Sequence, residues 1–180
     1  CKMKKNGKKN SQKHPLLTAA KVVTIVLAAW FSCAMPVLSG AGLIYNRGSY
    51  GAELTRVGVF LIAAGAVMSL GAVLCLFRKN LANVAAVILS CGGFALCMTM
   101  LHKLALHADK SGWSDKYTMA PISDMYRSRL IPSIIPTVLV IFVAVAQLLS
   151  LELKEERRER RKLKKDKENA PAPSVLGDDE

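Results

Sequence analysis

The chain has 180 residues, of which 52% are hydrophobic, and it carries a formal net charge of +12. Its charges lie in blocks, and four long runs between the blocks contain no Lys, Arg, Asp or Glu. A soluble domain built on four helices that are apolar on every side would lack polar surface to cover them, so this pattern argues against a soluble fold and predicts an integral membrane protein.

Residues 1–15 form a basic arm, in which Met3 resembles a natural start, and an uncharged run of 25 residues follows at 22–46. A bilayer core of about 30 Å needs about 20 apolar helical residues, so the run predicts a first span at about 18–45. Pro36 and the sequence SGAG after it predict a kink. The run is longer than the core of a cleaved signal peptide, which makes cleavage the less favoured alternative.

The second and third uncharged runs predict a tight hairpin, with spans at about 54–77 and 80–104, because only the sequence RKN separates them. Membrane helices are held together by close backbone approach and interhelical hydrogen bonds, which small residues permit. An alternative is that small residues are merely common in such helices. The predicted helix-packing residues are Gly58, Gly65, Ser69 and Ala72 on the second span and Ala82, Ala86, Ser90 and Gly93 on the third.

A polar loop is predicted at about 105–129. Its end has the features of an entry into the last span, with Ser123 or Asp124 as the N-cap of a helix that begins near Met125. Amphipathic aromatic and long cationic side chains are typical of the lipid headgroup region. The predicted membrane-interface residues are Trp113, Tyr117, Tyr126, Arg127 and Arg129.

The same loop carries the few side chains suited to chemistry. His107 and Asp109 are weak candidates for metal ligands, because their spacing is poor for a zinc site. A membrane enzyme would use His107, Asp109 and Asp124, but no phosphate-binding loop or nucleophile motif accompanies them. The sequence therefore predicts no catalytic residues, no metal and no cofactor.

The fourth run predicts a span at about 130–153, which completes a transmembrane domain at 16–153. Spaced Glu–Arg pairs predict that its helix continues to about Lys165, before the APAPS sequence and a disordered acidic end within the tail at 154–180. Basic residues next to a membrane attract anionic lipid headgroups. The tail has no aromatic residue for base stacking, so no specific nucleic acid is expected. The residues expected to attract headgroups are Arg157, Arg158, Arg160, Arg161, Lys162, Lys164 and Lys165.

The distribution of basic residues predicts the orientation of the spans. Alternate segments must face the same side, which gives 18 Lys and Arg residues on one side and 7 on the other. The richer side is cytoplasmic by the positive-inside rule. The predicted fold is an all-α, antiparallel up-down bundle of four transmembrane helices, with both termini inside and the fourth helix extended into the cytoplasm. The lysine-rich start and short loops suggest a bacterial cytoplasmic membrane.

No ionisable residue lies deep in a span, which argues against a proton-coupled pump. The cysteines within the spans form no Cys-x-x-Cys pair and are interpreted as structural thiols. The favoured function is that of a non-catalytic accessory or scaffolding subunit that binds a membrane-protein partner or forms a homo-oligomer. The alternative is a small oligomeric transporter or channel for a neutral or weakly polar solute. It would pass that solute along Ser32, Ser69, Ser90 and Thr137.

Overall fold

The computed structural model describes residues 15–112 and 122–168, and this part of the chain is helical apart from short turns, with no strand. Four helical stretches in it are long and apolar enough to cross a membrane. The prediction of an all-α fold with four helices long and apolar enough to span a membrane is therefore confirmed for this part of the chain. The first to fourth spans are Leu16–Tyr45, Glu53–Leu74, Asn80–Ser111 and Ser123–Leu163.

The first span changes its helical geometry midway. A wider π-helical segment precedes Pro36. At its end, the Met35 amide donates to the Trp30 carbonyl, five residues earlier in the chain. Because Pro36 has no N–H to give to the carbonyl four residues earlier, a regular α-helix is disfavoured there. The sequence placed the irregularity at and after Pro36, whereas the structure places it before. The three parts are α1 (Pro15–Leu27), the π segment (Ala28–Ala34) and α2 (Met35–Tyr45).

The second and third spans follow a short helix, α3 (Arg47–Tyr50), and consist of α4 (Glu53–Leu74) and α5 (Asn80–Ser111). The expected loop from residue 105 is still helix as far as Ser111, because LALHAD is rich in good helix formers. Gly112 ends α5 in the left-handed conformation, with φ 64°, which a glycine adopts without strain.

The fourth span has three parts, namely α6 (Ile122–Leu130), a 3₁₀ turn (Ile131–Ser133) and α7 (Ile134–Glu168). Since α6 begins at Ile122, Ser123 and Asp124 lie inside its first turn, and neither is the expected N-cap of a helix starting near Met125. Near the prolines, the Ser133 hydroxyl donates to the Leu130 carbonyl at 2.6 Å and the Thr137 hydroxyl to the Ser133 carbonyl at 2.9 Å.

Each span buries one face against its neighbours and leaves the opposite face exposed and apolar, as a lipid-facing surface requires. The buried side chains form two clusters. The first cluster comprises Leu43, Leu54, Leu61, Ala64, Met68, Cys97, Met100, Leu101, Leu104 and Leu130. The second cluster comprises Ala28, Ala72, Cys75, Ala86, Val140 and Val143.

Glycines bring the first and second spans into backbone contact. A Cβ atom added to Gly40 would lie 2.5 Å from the Gly58 carbonyl oxygen, and one added to Gly58 would lie 2.6 Å from the Gly40 carbonyl oxygen. Gly65 also faces the first span, where an added Cβ would lie 3.1 Å from Pro36 Cβ and 3.2 Å from the Ser32 carbonyl oxygen. The helices can therefore touch only because these positions lack a side chain.

The second and third spans meet along a different set of small residues. A Cβ atom added to Gly93 would lie 2.6 Å from Met68 Cγ and 3.1 Å from the Ala64 carbonyl oxygen, and one added to Gly71 would collide with the Ser90 hydroxyl. The small residues of the second span thus face two neighbours, the first span and the third span. Of the remaining predicted packing residues, Ala72 and Ala86 are buried, and Ser69 and Ala82 are half-buried.

We expect Gly93→Ala to destabilise the protein by about 1–3 kcal/mol, because the added methyl group meets backbone atoms of the second span. The neighbouring Gly92 is the matched control, since a Cβ atom there meets nothing within 4 Å. Gly92→Ala should leave stability unchanged or slightly higher, because alanine favours helix. Thermal unfolding in detergent compares the two, and equal midpoints would contradict this description of the helix contact.

Candidate functional site

Hydrogen bonds tie together three spans at the end of the bundle where α4 stops. Lys21 Nζ donates to Gln147 Oε1 and to the Leu76 carbonyl oxygen, both at 2.9 Å. Gln147 Nε2 in turn donates to the Cys75 carbonyl oxygen at 2.7 Å. We call this set of contacts, formed by Lys21, Gln147 and the carbonyl groups of Cys75 and Leu76, the polar latch.

The polar latch satisfies groups that the end of a helix leaves unpaired. The last carbonyls of α4 have no helical donor, and a cation near them is favoured by the helix dipole. The side chain of Gln147 is 1% exposed, so its amide depends on these protein partners. The sequence analysis did not predict these contacts, because the partners of Gln147 are distant along the chain.

Another polar region lies where α4 begins and α5 ends, and it has the form of an open groove of about 760 Å³. Leu54 and Leu104 form its buried floor. The side chains that give it charge or polarity are Glu53, Arg56, Lys103, His107, Lys110 and Ser111. We call this region the charged groove.

His107 contacts the start of α4 in the charged groove. Its Nδ1 lies 3.4 Å from Glu53 Oε2, and the side chains are 27% and 82% exposed, respectively. Gly51, with φ 110°, lies so close that an added Cβ atom would be 3.5 Å from His107 Nε2. The partner of this histidine is therefore a carboxylate of another span, which the sequence analysis did not identify.

The residues considered for metal or catalysis do not form a cluster. Within residues 15–112 and 122–168, no group of three or more His, Cys, Asp or Glu side chains is arranged to hold a metal ion. His107 contacts Glu53, whereas Asp124 lies 3.7 Å from Arg127 on its own helix. Asp109 is exposed. Among the described residues, these side chains therefore do not share one site.

Three of the predicted membrane-interface residues lie within the described part of the chain. Tyr126 is half-buried against the first cluster, with its hydroxyl near Gly42, whereas Arg127 and Arg129 are exposed. Trp113 and Tyr117 lie outside the described residues, so their placement stays a prediction.

The basic residues of the tail are carried on a continuous helix. α7 runs from Ile134 to Glu168, which makes the part after the apolar run a helical extension of the fourth span. Its side chains are exposed over 155–163 and contain five predicted headgroup residues. These are Arg157, Arg158, Arg160, Arg161 and Lys162, and the same helix continues through Lys164 and Lys165.

The hydroxyl groups considered for solute passage are engaged or packed. Ser69 donates to the Gly65 carbonyl at 2.7 Å, and Thr137 donates to the Ser133 carbonyl. Ser32 and Ser90 are buried, with Ser90 against Gly71. Such bonds satisfy the helix that carries the side chain and do not by themselves indicate a pathway.

The cysteines within the spans are unpaired thiols, and Cys75 and Cys97 are buried as small apolar side chains. Cys75 also donates to the Ala72 carbonyl of its own segment at 3.0 Å.

Comparison with known proteins gave no match to a family model, to a curated protein or to a solved structure.

We expect Gln147→Leu to lower stability by about 1.5–3 kcal/mol, because it removes the acceptor of a charged lysine and the donor to a buried carbonyl. Ser150→Ala is the control, since that hydroxyl bonds only the carbonyl of residue 147 on its own helix. Thermal unfolding in detergent measures both. A Gln147→Leu protein as stable as Ser150→Ala would show that the polar latch contributes little.

Proposed function

We propose that this chain is an accessory or scaffolding subunit of the cytoplasmic membrane, most consistent with a bacterial protein, that works by binding and not by catalysis. Its four spans run up and down, antiparallel, with both termini in the cytoplasm. The basic helical extension of α7 contacts anionic headgroups and a membrane-protein partner. The observation that carries this proposal is that extension, an exposed charged helix continuous with a packed span.

The contacts between spans support the antiparallel arrangement. Gly71 meets Ser90 close to the turn between α4 and α5, whereas Glu53 meets His107 at the far ends of the same two helices. The distribution of Lys and Arg supports the orientation, because the more basic segments include the N-terminal arm and the tail.

The length of α7 supports a role in binding. Its 35 residues extend about 50 Å, whereas the bilayer core is about 30 Å thick. The distal part projects into water, with side chains exposed over 155–163. A helix whose side chains are exposed along this stretch is suited to hold a partner at a fixed distance from the membrane.

The interior of the bundle supports a binding protein over a transporter. Two buried apolar clusters lie between the spans, although polar side chains are buried there as well. Two of the four hydroxyl groups proposed to line a path bond within their own helices. A transporter of neutral solutes is the alternative, and solute flux into liposomes that contain the purified chain would favour it.

The orientation predicts which sites react with a membrane-impermeant thiol reagent. In a background without native cysteines, Gly48→Cys should be labelled in intact cells, since position 48 is exposed with open space around it. Glu159→Cys on the α7 extension should be labelled only after the cells are opened. Labelling of Glu159→Cys in intact cells would reverse the proposed topology.

Truncation tests the binding role of the α7 extension. A chain that stops after residue 152 should lose a partner that co-purifies with the full chain in mild detergent, because the exposed charged helix is missing. The matched control stops after residue 168 and keeps α7 whole, so it should retain the partner. Recovery of the full chain alone, or retention of the partner by the shorter chain, would contradict the proposal.

A further inference from the structure

The charged groove has an excess of cationic side chains. Arg56 of α4 and Lys103 and Lys110 of α5 line it, together with a single carboxylate, that of Glu53. As far as the structure describes the chain, none of these three cations has an ion pair or a hydrogen bond, whereas Glu53 lies beside His107. The groove therefore presents positive charge that its own acidic group does not offset.

The start of α4 adds to this positive potential. The N-cap residue, Ala52, provides no side-chain acceptor for the first amides of the helix, and it lines the groove. The N-terminal end of a helix carries partial positive charge and favours anions. The helix end and the three cationic side chains thus act in the same direction on a ligand in the groove.

The dimensions and floor of the groove indicate the kind of anion. A volume of about 760 Å³ is the size of a small-molecule site and exceeds the need of an isolated ion. Besides Ala52, four of its lining side chains are aliphatic and suit a hydrocarbon portion. They are Leu54, Val57, Leu104 and Leu106.

The cations themselves favour phosphate over carboxylate. A planar carboxylate is satisfied by the fork of one arginine, whereas phosphate offers several oxygen atoms to separate cations, including lysines that act as point charges. Here one arginine and two lysines come from two helices. Their distribution around the groove suits a phosphate group bound from more than one side.

We propose that the charged groove binds the phosphate group of an anionic amphiphile, with Arg56, Lys103 and Lys110 around the phosphate and the aliphatic floor under the hydrocarbon portion. A phospholipid headgroup and a soluble phosphate share this chemistry. The floor and the location at the end of a span favour the phospholipid.

Calorimetric titration of the full chain in detergent tests the proposal with three probes: short-chain phosphatidylglycerol, short-chain phosphatidylcholine and inorganic phosphate. Phosphatidylglycerol should bind most tightly, and its binding should weaken as salt is added, because exposed charges are screened. Inorganic phosphate that binds as tightly would show that the floor plays no part and would overturn the amphiphile assignment. Equal affinity for phosphatidylcholine would overturn the role of net charge.

Charge variants give effects of opposite sign. The double variant Arg56→Gln, Lys103→Gln should bind phosphatidylglycerol at least about tenfold more weakly, as expected for the loss of hydrogen bonds to charged groups. Glu53→Gln should bind it more tightly, because a repulsive charge is removed, and a misfolded protein would not show that gain. Arg47→Gln is the matched control, because Arg47 in α3 is also an exposed arginine but does not line the groove.

Two results would overturn the proposal outright. One is unchanged affinity of the double variant relative to the unaltered chain. The other is weaker binding by Glu53→Gln, since removal of a carboxylate from a phosphate site cannot weaken binding through charge.

Discussion

The mutual contact of Gly40 and Gly58 is the constraint on which the arrangement of the spans depends. Lipid is as apolar as the side chains it replaces, so burial alone does not draw two spans together. Apart from interhelical hydrogen bonds, the attraction that remains is dispersion, which weakens within a fraction of an ångström of extra separation. Two opposed glycines allow the backbones to reach that range. Since Gly58 lies little more than one turn from Glu53, the contact also places the beginning of α4.

The sequence was sufficient for the number of long apolar helices and for the all-helical class of the fold. Each span needs a charge-free run of a length that the bilayer sets, and the runs are separated by charged segments that cannot stay in lipid. That requirement concerns each segment by itself, so a span can be predicted from its own sequence without knowing which helices pack against it. The continuation of the third helix to Ser111 was not predicted, because residues 105–111 were interpreted as loop, although a helix can continue beyond the membrane.

The partners of each residue were harder to predict, because they depend on how the spans are placed around one another. The spacing of Gly58 and Gly65 indicates a packing face but not the identity of the helix opposite, which proved to be the first span. The contact of His107 with Glu53 joins the end of α5 to the start of α4, and the sequence analysis did not pair these residues. The charged groove is formed only when the start of α4 packs beside the end of α5. No sequence motif predicts it, because its residues come from two separate helices.

The two ends of the bundle differ in how they treat charge. In the polar latch, Lys21 is surrounded by acceptors that belong to other segments, so its charge is used within the protein. In the charged groove, the cations line open space. One end of the bundle is thus stabilised by its own hydrogen bonds, whereas the other end leaves charged side chains accessible.

The π segment joins two parts of one helix that serve different neighbours, since α1 packs on α7 and α2 packs on α4. One residue more or fewer in a helix rotates everything beyond it by about 100°. The π segment therefore sets the phase between the latch lysine and the glycine contact. If the segment tightened to a regular α-helix, α1 and α2 would rotate relative to each other. The first span could then keep its contact with α7 or its contact with α4, but not both.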